Sequence, residues 1–236
     1  MNRRRAALLA AALLVAPAGF AAWQLATWPD VAALARDDPQ TTAFIDRWRA
    51  RERAAGRSGE PAWRPVPYAR ISDQLKVAVL VAEDIDFFSH RGFAVAEIKK
   101  SIADALEEKE LPRGASTITQ QLAKNLWLSP SRNPWRKVKE ALLTRSLERH
   151  LAKRRILELY LNVVELGPGV YGAEAAARRY FGKPAAALDR QEAVALAASL
   201  SMPSRWHPGV TTRGYQRRMR LLAERVEQSA WVRRDL

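Results

Sequence analysis

A run of 23 residues without a charge, from Ala6 to Trp28, follows Arg3, Arg4 and Arg5. It leaves the start of the chain few ways to fold. In hydrocarbon a segment must satisfy its own backbone N–H and C=O groups, and a helix of about 20 residues does so while crossing the bilayer. Cations before the run and none directly after it predict a cytoplasmic tip with the remainder on the outer side. Trp23 and Trp28 fall where an interfacial aromatic belt would lie. A cleaved signal peptide is the alternative, because the run is rich in Ala and small residues. Its length exceeds the apolar core of about 7–15 residues usual in such peptides, which favours a retained single-pass anchor. Under either reading the rest of the chain is exported.

The 236 residues suffice for one domain with small appendages and a sizeable core. Lys and Arg number 39 against 25 Asp and Glu, a formal net charge of +14, and the three arginines of the tip account for little of it. Such a surplus suits an anionic partner: nucleic acid, lipid headgroups or a phosphate-bearing substrate. No recognised nucleic-acid motif accompanies it, and export argues against that partner. Cysteine is absent, which excludes disulfides, Cys-ligated zinc and thiol nucleophiles. His90, His150 and His207 show no metal-ligand spacing, so no metal site is expected.

Three regions are expected: a tip and anchor over 1–28, a juxtamembrane connector over 29–62 with one short helix around Thr42–Ala54, and a catalytic domain over 63–236. In the last, helical periodicity dominates. Ser72-Asp73 reads as the cap of a helix over 74–83. Further helices are predicted over 94–110, 117–127, 134–152, 154–164, 170–181, 190–200 and 212–231. Asn133-Pro134 is a start signal, a capping Asn before Pro at the first helical position. Strands with clean alternation are scarce, so the fold is read as mainly α.

Three segments carry chemistry. In Glu83-Asp84-Ile85-Asp86-Phe87-Phe88-Ser89-His90-Arg91-Gly92, a carboxylate closes an apolar helix beside aromatics, a setting that raises its pKa toward general acid or base work. A solvated helix end is the plain alternative. In Arg113-Gly114-Ala115-Ser116-Thr117-Ile118-Thr119-Gln120-Gln121-Leu122-Ala123-Lys124-Asn125, a Gly-led turn enters a helix whose free N–H groups suit an anion or sugar hydroxyls. Gln120, Gln121, Lys124 and Asn125 add polar groups one turn on, while Ser116 or Thr117 also serves as an ordinary N-cap. On the helix that starts at Pro134, Arg136, Glu140 and Thr144 share a face with Lys137 and Lys139 nearby. Those cations would keep Glu140 ionised, the opposite expectation from Glu83. Either the two carboxylates divide their roles or the second is a routine ion pair.

The motifs E-D-x-x-F-x-x-H-x-G, R-G-A-S-T-I-T-Q-Q-L-A-K-N-L, R-K-V-K-E, R-R-I-L-E-L-Y-L-N-V-V-E-L-G and A-A-A-R-R-Y-F-G-K occur in this order. Together they resemble glycosyltransferase family 51, and most closely its monofunctional biosynthetic peptidoglycan transglycosylases, over roughly Trp63 to Pro208. The resemblance implies a lysozyme-like helical fold at the outer face of the bacterial inner membrane. It implies polymerisation of lipid II into β-1,4 glycan strands, with inversion and loss of undecaprenyl diphosphate. Glu83 matches the family's proposed general base and Glu140 its second essential carboxylate. Lys124 and Arg132 match cations that meet the donor diphosphate, with Lys137 and Lys139 beside Glu140. Ser116, Thr117, Gln120, Gln121 and Asn125 match cleft-lining positions. Glu148 is read as structural. Where the family usually has Asp after His90-Arg91-Gly92-Phe93, this chain has Ala94.

No cofactor is required on this reading. A divalent cation, Mg or Mn, that bridges the diphosphate is left open. Implied partners are lipid II, the growing lipid-linked glycan, the membrane with its anionic headgroups, and other cell-wall synthesis proteins. Two rivals stand beside it: a lytic transglycosylase or lysozyme-type hydrolase, and an inactive membrane-tethered scaffold. The basic cluster and the anchor weigh against the first, the intact Glu83 and Glu140 against the second. The C-terminal helix, with Arg213, Arg217, Arg218, Arg220 and Arg225 on one side, is expected to pack on the core or lie against headgroups. Arg205-Trp206 is a further candidate for closing the site.

Overall fold

The computed structural model describes Gly19, Gln24 and residues 26–94, 116–131 and 133–236. From Val31 to Leu236 the chain is one compact unit. No helix among the described residues is long and apolar enough to cross a membrane. The span expected over residues 6–28 lies almost entirely outside the described residues. So do most of the helix expected over 94–110, the turn at Arg113-Gly114-Ala115, and Arg132.

The centre of the unit is α2, Asp73–Glu83. Ser72 caps it by accepting from the Gln74 N–H at 3.2 Å, and its hydroxyl donates to the Leu188 carbonyl at 2.8 Å. Leu75, Val77, Ala78, Val79, Leu80 and Val81 are all buried; a helix apolar nearly all round belongs inside a core. Lys76 is the exception. Its ammonium pairs with Asp73 at 2.8 Å and sits 4.0 Å from the centre of the Tyr68 ring. Two later helices, α7 (Arg190–Ser199) and α8 (Arg213–Gln228), pack on α2.

A second layer is built from α3 (Ile118–Trp127), α4 (Pro134–His150) and α5 (Lys153–Val163). Asn133 caps α4 through the Trp135 N–H at 2.9 Å, with Pro134 in the first turn as its fixed φ favours. Thr42 caps α1 (Ala43–Ala54), which packs against α3. Arg155 of α5 donates to the Leu34 and Asp37 carbonyls at 2.8 and 2.9 Å and pairs with Asp38 at 2.8 Å. From Val31 onward, therefore, the stretch expected to be a connector folds into the main body.

The helix expected over 170–181 begins later than its pattern suggested. Val170–Tyr171 form strand β3, and α6 spans Ala173–Phe181. β3 lies between β1 (Ala62–Trp63), which it meets in parallel, and β2 (Glu165–Gly167), which it meets antiparallel. Strands of two or three residues are too short to display a period of two. Gly172 separates β3 from α6 at φ +80°, where an added Cβ would come within 2.5 Å of the Asn162 carbonyl oxygen. Only glycine fits there. The C-terminal helix also ends earlier than expected, at Gln228, and a 3-10 stretch over Ala230–Asp235 follows.

Candidate active site

Two helix ends meet at Glu83 and Asp84. α2 runs out at Glu83 while α3 starts at Ile118, and Asp84 joins them. One Asp84 oxygen accepts from the Ile118 N–H at 2.9 Å, and the other lies 2.8 Å from His90 Nε2. The Asp84 carboxylate is buried and placed where the N-terminus of α3 offers an unsatisfied N–H and a positive dipole end. The sequence reading did not single out Asp84; it is a cap that fixes one motif against the next. Replacing Asp84 with Ala is expected to cost about 2 kcal/mol of stability, a buried charge-assisted cap being lost. Asp84→Asn keeps an acceptor for Ile118 and should cost clearly less. Chemical denaturation of both variants checks this ranking.

With α3 fixed in this way, Gln121 reaches Glu83. Gln121 Nε2 donates to Glu83 Oε2 at 2.8 Å and, more weakly, to the Ser116 carbonyl at 3.4 Å. Arg218 of α8 approaches the other oxygen, with Nη2 3.7 Å from Glu83 Oε1. Arg225, two turns on, donates to the Val81 carbonyl at 2.7 Å and holds α8 against the end of α2. Burial pushes the Glu83 carboxyl above the usual range, opposed by the Gln121 hydrogen bond and by the Arg218 and Lys124 charges. The raised pKa anticipated from the apolar helix is present, and its cause is desolvation.

Glu140 sits in a different environment. It is 2% exposed, pairs with Arg136 at 2.5 Å, and pairs also with Lys137. Its carbonyl accepts from Thr144 at 2.8 Å. Arg136 also donates from Nε to the Ser131 carbonyl at 2.5 Å, so this guanidinium is fixed at both ends. Lys124 of α3 lies within electrostatic reach of both carboxylates. Burial lowers its pKa most, the Arg136 and Lys137 charges lower it further, and Glu140 and Glu83 act in the opposite sense. The result is two carboxylates that both feel the Lys124 charge, with a denser cationic group on the Glu140 side.

The remaining expected residues separate into two sets. Thr117 and Gln120 are buried and occupied internally. They form the capping box of α3, and the Thr117 hydroxyl donates to the Gly92 carbonyl at 2.7 Å. Asn125 is buried, whereas Ser116 is exposed. Lys139 follows Val138 on α4, directly before Glu140. Glu148 has the structural role read from the sequence, accepting from Thr119 at 2.6 Å and Lys153 at 2.8 Å to join α3, α4 and α5. Ala94, where the resembling family has Asp, is buried. The Arg136–Glu140 pair follows the i,i+4 spacing read from the sequence, whereas sequence reasoning missed two contributors besides the role of Asp84: Arg218 beside Glu83 and Tyr160 behind Gln121. Among the described residues no cluster of three or more His, Asp or Glu could hold a metal ion.

Residues 52–227 match the transglycosylase family. The chain is 49% identical over 188 residues to the biosynthetic peptidoglycan transglycosylase of Thiobacillus denitrificans, covering 78% of this chain and 80% of that protein. It is 43% identical over 229 residues to the protein of the same name from Azoarcus sp., covering 95% of each. Against that of Laribacter hongkongensis it is 43% identical over 190 residues, 80% of this chain and 83% of the relative. With three-quarters of its length matched and a buried carboxylate at the meeting of its first two motifs, the chain belongs to the transglycosylase family.

Proposed function

We propose that this enzyme, a peptidoglycan glycosyltransferase, extends β-1,4 glycan strands from lipid II, with Glu83 as general base and the Glu140 cluster as the site of the departing diphosphate. The observation that carries this reading is the contrast between the two carboxylates. Glu83 is mostly buried, its side chain 14% exposed, raised in pKa and touched by one amide and one distant guanidinium. Glu140 is held by cations that outnumber it. A carboxylate of the first kind can take the proton of the acceptor's 4-hydroxyl as that oxygen attacks the anomeric carbon of the donor. The anomeric carbon inverts, and the electron pair of its broken C–O bond leaves on the diphosphate. Lys124, Lys137, Arg136 and Arg132 supply positive charge where that negative charge develops, so no general acid is needed to protonate the leaving group.

Glu140 then serves as an organiser, aligning Arg136 and Lys137 and limiting their mutual repulsion. Gln121 holds Glu83, and Thr117 and Gln120 act by building the turn that presents α3. Ser116, Asn125 and Lys139 are assigned to the substrate cleft. A divalent cation, where it stimulates, is auxiliary in this scheme. Polymerisation should survive chelation.

The domain division that fits is an anchor over 1–28, a short lead-in, and a lysozyme-like catalytic body into which residues from Val31 are folded. A membrane-side setting at the outer face of the inner membrane is supported by the uncharged run Ala6–Trp28. It is supported also by Trp135, Val138 and Leu142 on α4, each 44 to 50% exposed beside Arg136, Lys137 and Lys139. Apolar side chains framed by cations suit a headgroup boundary.

The test is polymerisation of labelled lipid II by the full chain in detergent, with products resolved by size across a pH series. Ladders of glycan are expected. The rate should fall tenfold per pH unit on the acid side, with an apparent pKa above that of an ordinary glutamate, because the base works only when deprotonated. Absence of polymer from folded protein under all conditions would remove this reading and bring the scaffold reading forward. Shortening of pre-formed glycan would favour the lytic one.

A further inference from the structure

α5 turns a mostly apolar face inward, with Ile156, Leu157, Leu159 and Val163 buried. In their midst Tyr160, itself 0% exposed, carries a hydroxyl into the core. A phenylalanine would fill nearly the same space without the cost of desolvating that hydroxyl. The hydroxyl has one partner that explains its presence: it donates to Gln121 Oε1 at 3.0 Å. Gln121 in turn donates to Glu83. Resting on the reading of Glu83 as general base, we propose that Tyr160 is a positioning residue. Its hydroxyl locks the Gln121 amide so that the N–H side, never the carbonyl side, meets Glu83.

Three contacts agree on one orientation of this amide. Its nitrogen faces two acceptors, Glu83 Oε2 at 2.8 Å and the Ser116 carbonyl at 3.4 Å. Its oxygen faces the Tyr160 hydroxyl. Turned through half a rotation, the amide oxygen would point at two other oxygens, and the nitrogen would displace the tyrosine's proton. The hydroxyl remains a donor at any working pH, because burial above all, and the charges of Glu83 and Asp84, push its ionisation far up.

The consequence concerns proton affinity. Protonated Glu83 would carry an O–H in need of an acceptor, and the locked amide offers that oxygen only another N–H. An amide free to turn could offer its carbonyl and stabilise the protonated acid. The lock therefore holds Glu83 as an acceptor, against the burial that favours its protonated form.

The experiment uses the full chain and Tyr160→Phe, Gln121→Ala and the double variant, with pH profiles of kcat/KM on lipid II. For Tyr160→Phe the acid limb should move up by roughly one pH unit, the order of one hydrogen bond to a charged group. The rate should fall several-fold on the acid side of the profile and return toward wild type on the alkaline side. Gln121→Ala and the double variant should share one profile, since Tyr160 acts only through Gln121. A uniform loss at all pH values in Tyr160→Phe, or a further shift on the Gln121→Ala background, would overturn the lock.

A second measurement needs no turnover: the titration of the Glu83 carboxyl by carbon NMR, assigned with Glu83→Gln. An upward shift in Tyr160→Phe while the wild type makes no polymer would keep the lock and sink the general-base reading instead. An unmoved titration sinks the lock whatever the polymer yield. Should Tyr160→Phe not fold, Tyr160→Met removes the same hydroxyl while a flexible apolar side chain fills the space, Gln121 keeps its bond to Glu83, and the same upward shift is expected. Its absence would count against the proposal equally.

Discussion

Glu83→Gln is expected to polymerise lipid II about a thousandfold more slowly than the wild type while folding at least as well, the middle of the range for loss of a general base. The glutamine keeps the shape and an oxygen that can still accept from Gln121. It loses the capacity to take a proton. The stability half of the expectation follows from linkage. In the folded chain the Glu83 carboxyl is raised by burial, so ionising it costs folded stability as pH rises from the unfolded value through the folded one. At neutral pH the wild type bears that penalty and the variant does not. A melting temperature at or above wild type, together with a collapsed rate on the glycan ladder, is the diagnostic pair. A variant that polymerised at even a tenth of the wild-type rate would remove Glu83 from the proton transfer.

Glu140 should behave in the opposite way. Its side chain is 3% exposed between Arg136 and Lys137, and Lys124 lies within its electrostatic reach. Glu140→Ala leaves these cations facing one another without a counter-charge. Breaking a fully buried pair costs about 3–5 kcal/mol. Here the Lys137 side chain is 53% exposed and can move into solvent, so about 2 kcal/mol is expected. In a body of this size that is a fall of about 5 °C in melting temperature. Polymerisation should drop about a hundredfold, because the cations proposed to receive the diphosphate lose their alignment. Thermal unfolding and the lipid II assay on one preparation check both numbers. Unchanged stability with lost activity would mean that Glu140 touches substrate instead of organising its neighbours.

The sequence carried both carboxylates because each stands in a pattern that chemistry constrains, one ending an apolar helix and one in a run of cations. It also carried most helix limits, since caps such as Ser72, Thr117 and Asn133 are local signals. What it did not carry is long-range or short-period. Arg218 lies on a cationic helix whose neighbour could equally have been a lipid headgroup, and only the fold places it beside a residue 135 positions earlier. Tyr160 sits on an apolar helical face, where an aromatic reads as packing. Asp84 stands among Glu83, Asp86 and their neighbours, and nothing local marks which acid is the cap. The stretch after Val31 has a linker's composition because its core contribution is sparse, with Ile45 and Leu34 among the few buried side chains.

The grip of α8 on the end of α2 has a temporal meaning. Glu83 emerges early in synthesis, but the guanidinium facing it and the Arg225 bond to the Val81 carbonyl arrive only with the last long helix. A nascent chain therefore presents the motifs around Glu83 and Glu140 before the wall behind Glu83 exists. The surroundings of Glu83 are completed only when nearly the whole body has been made.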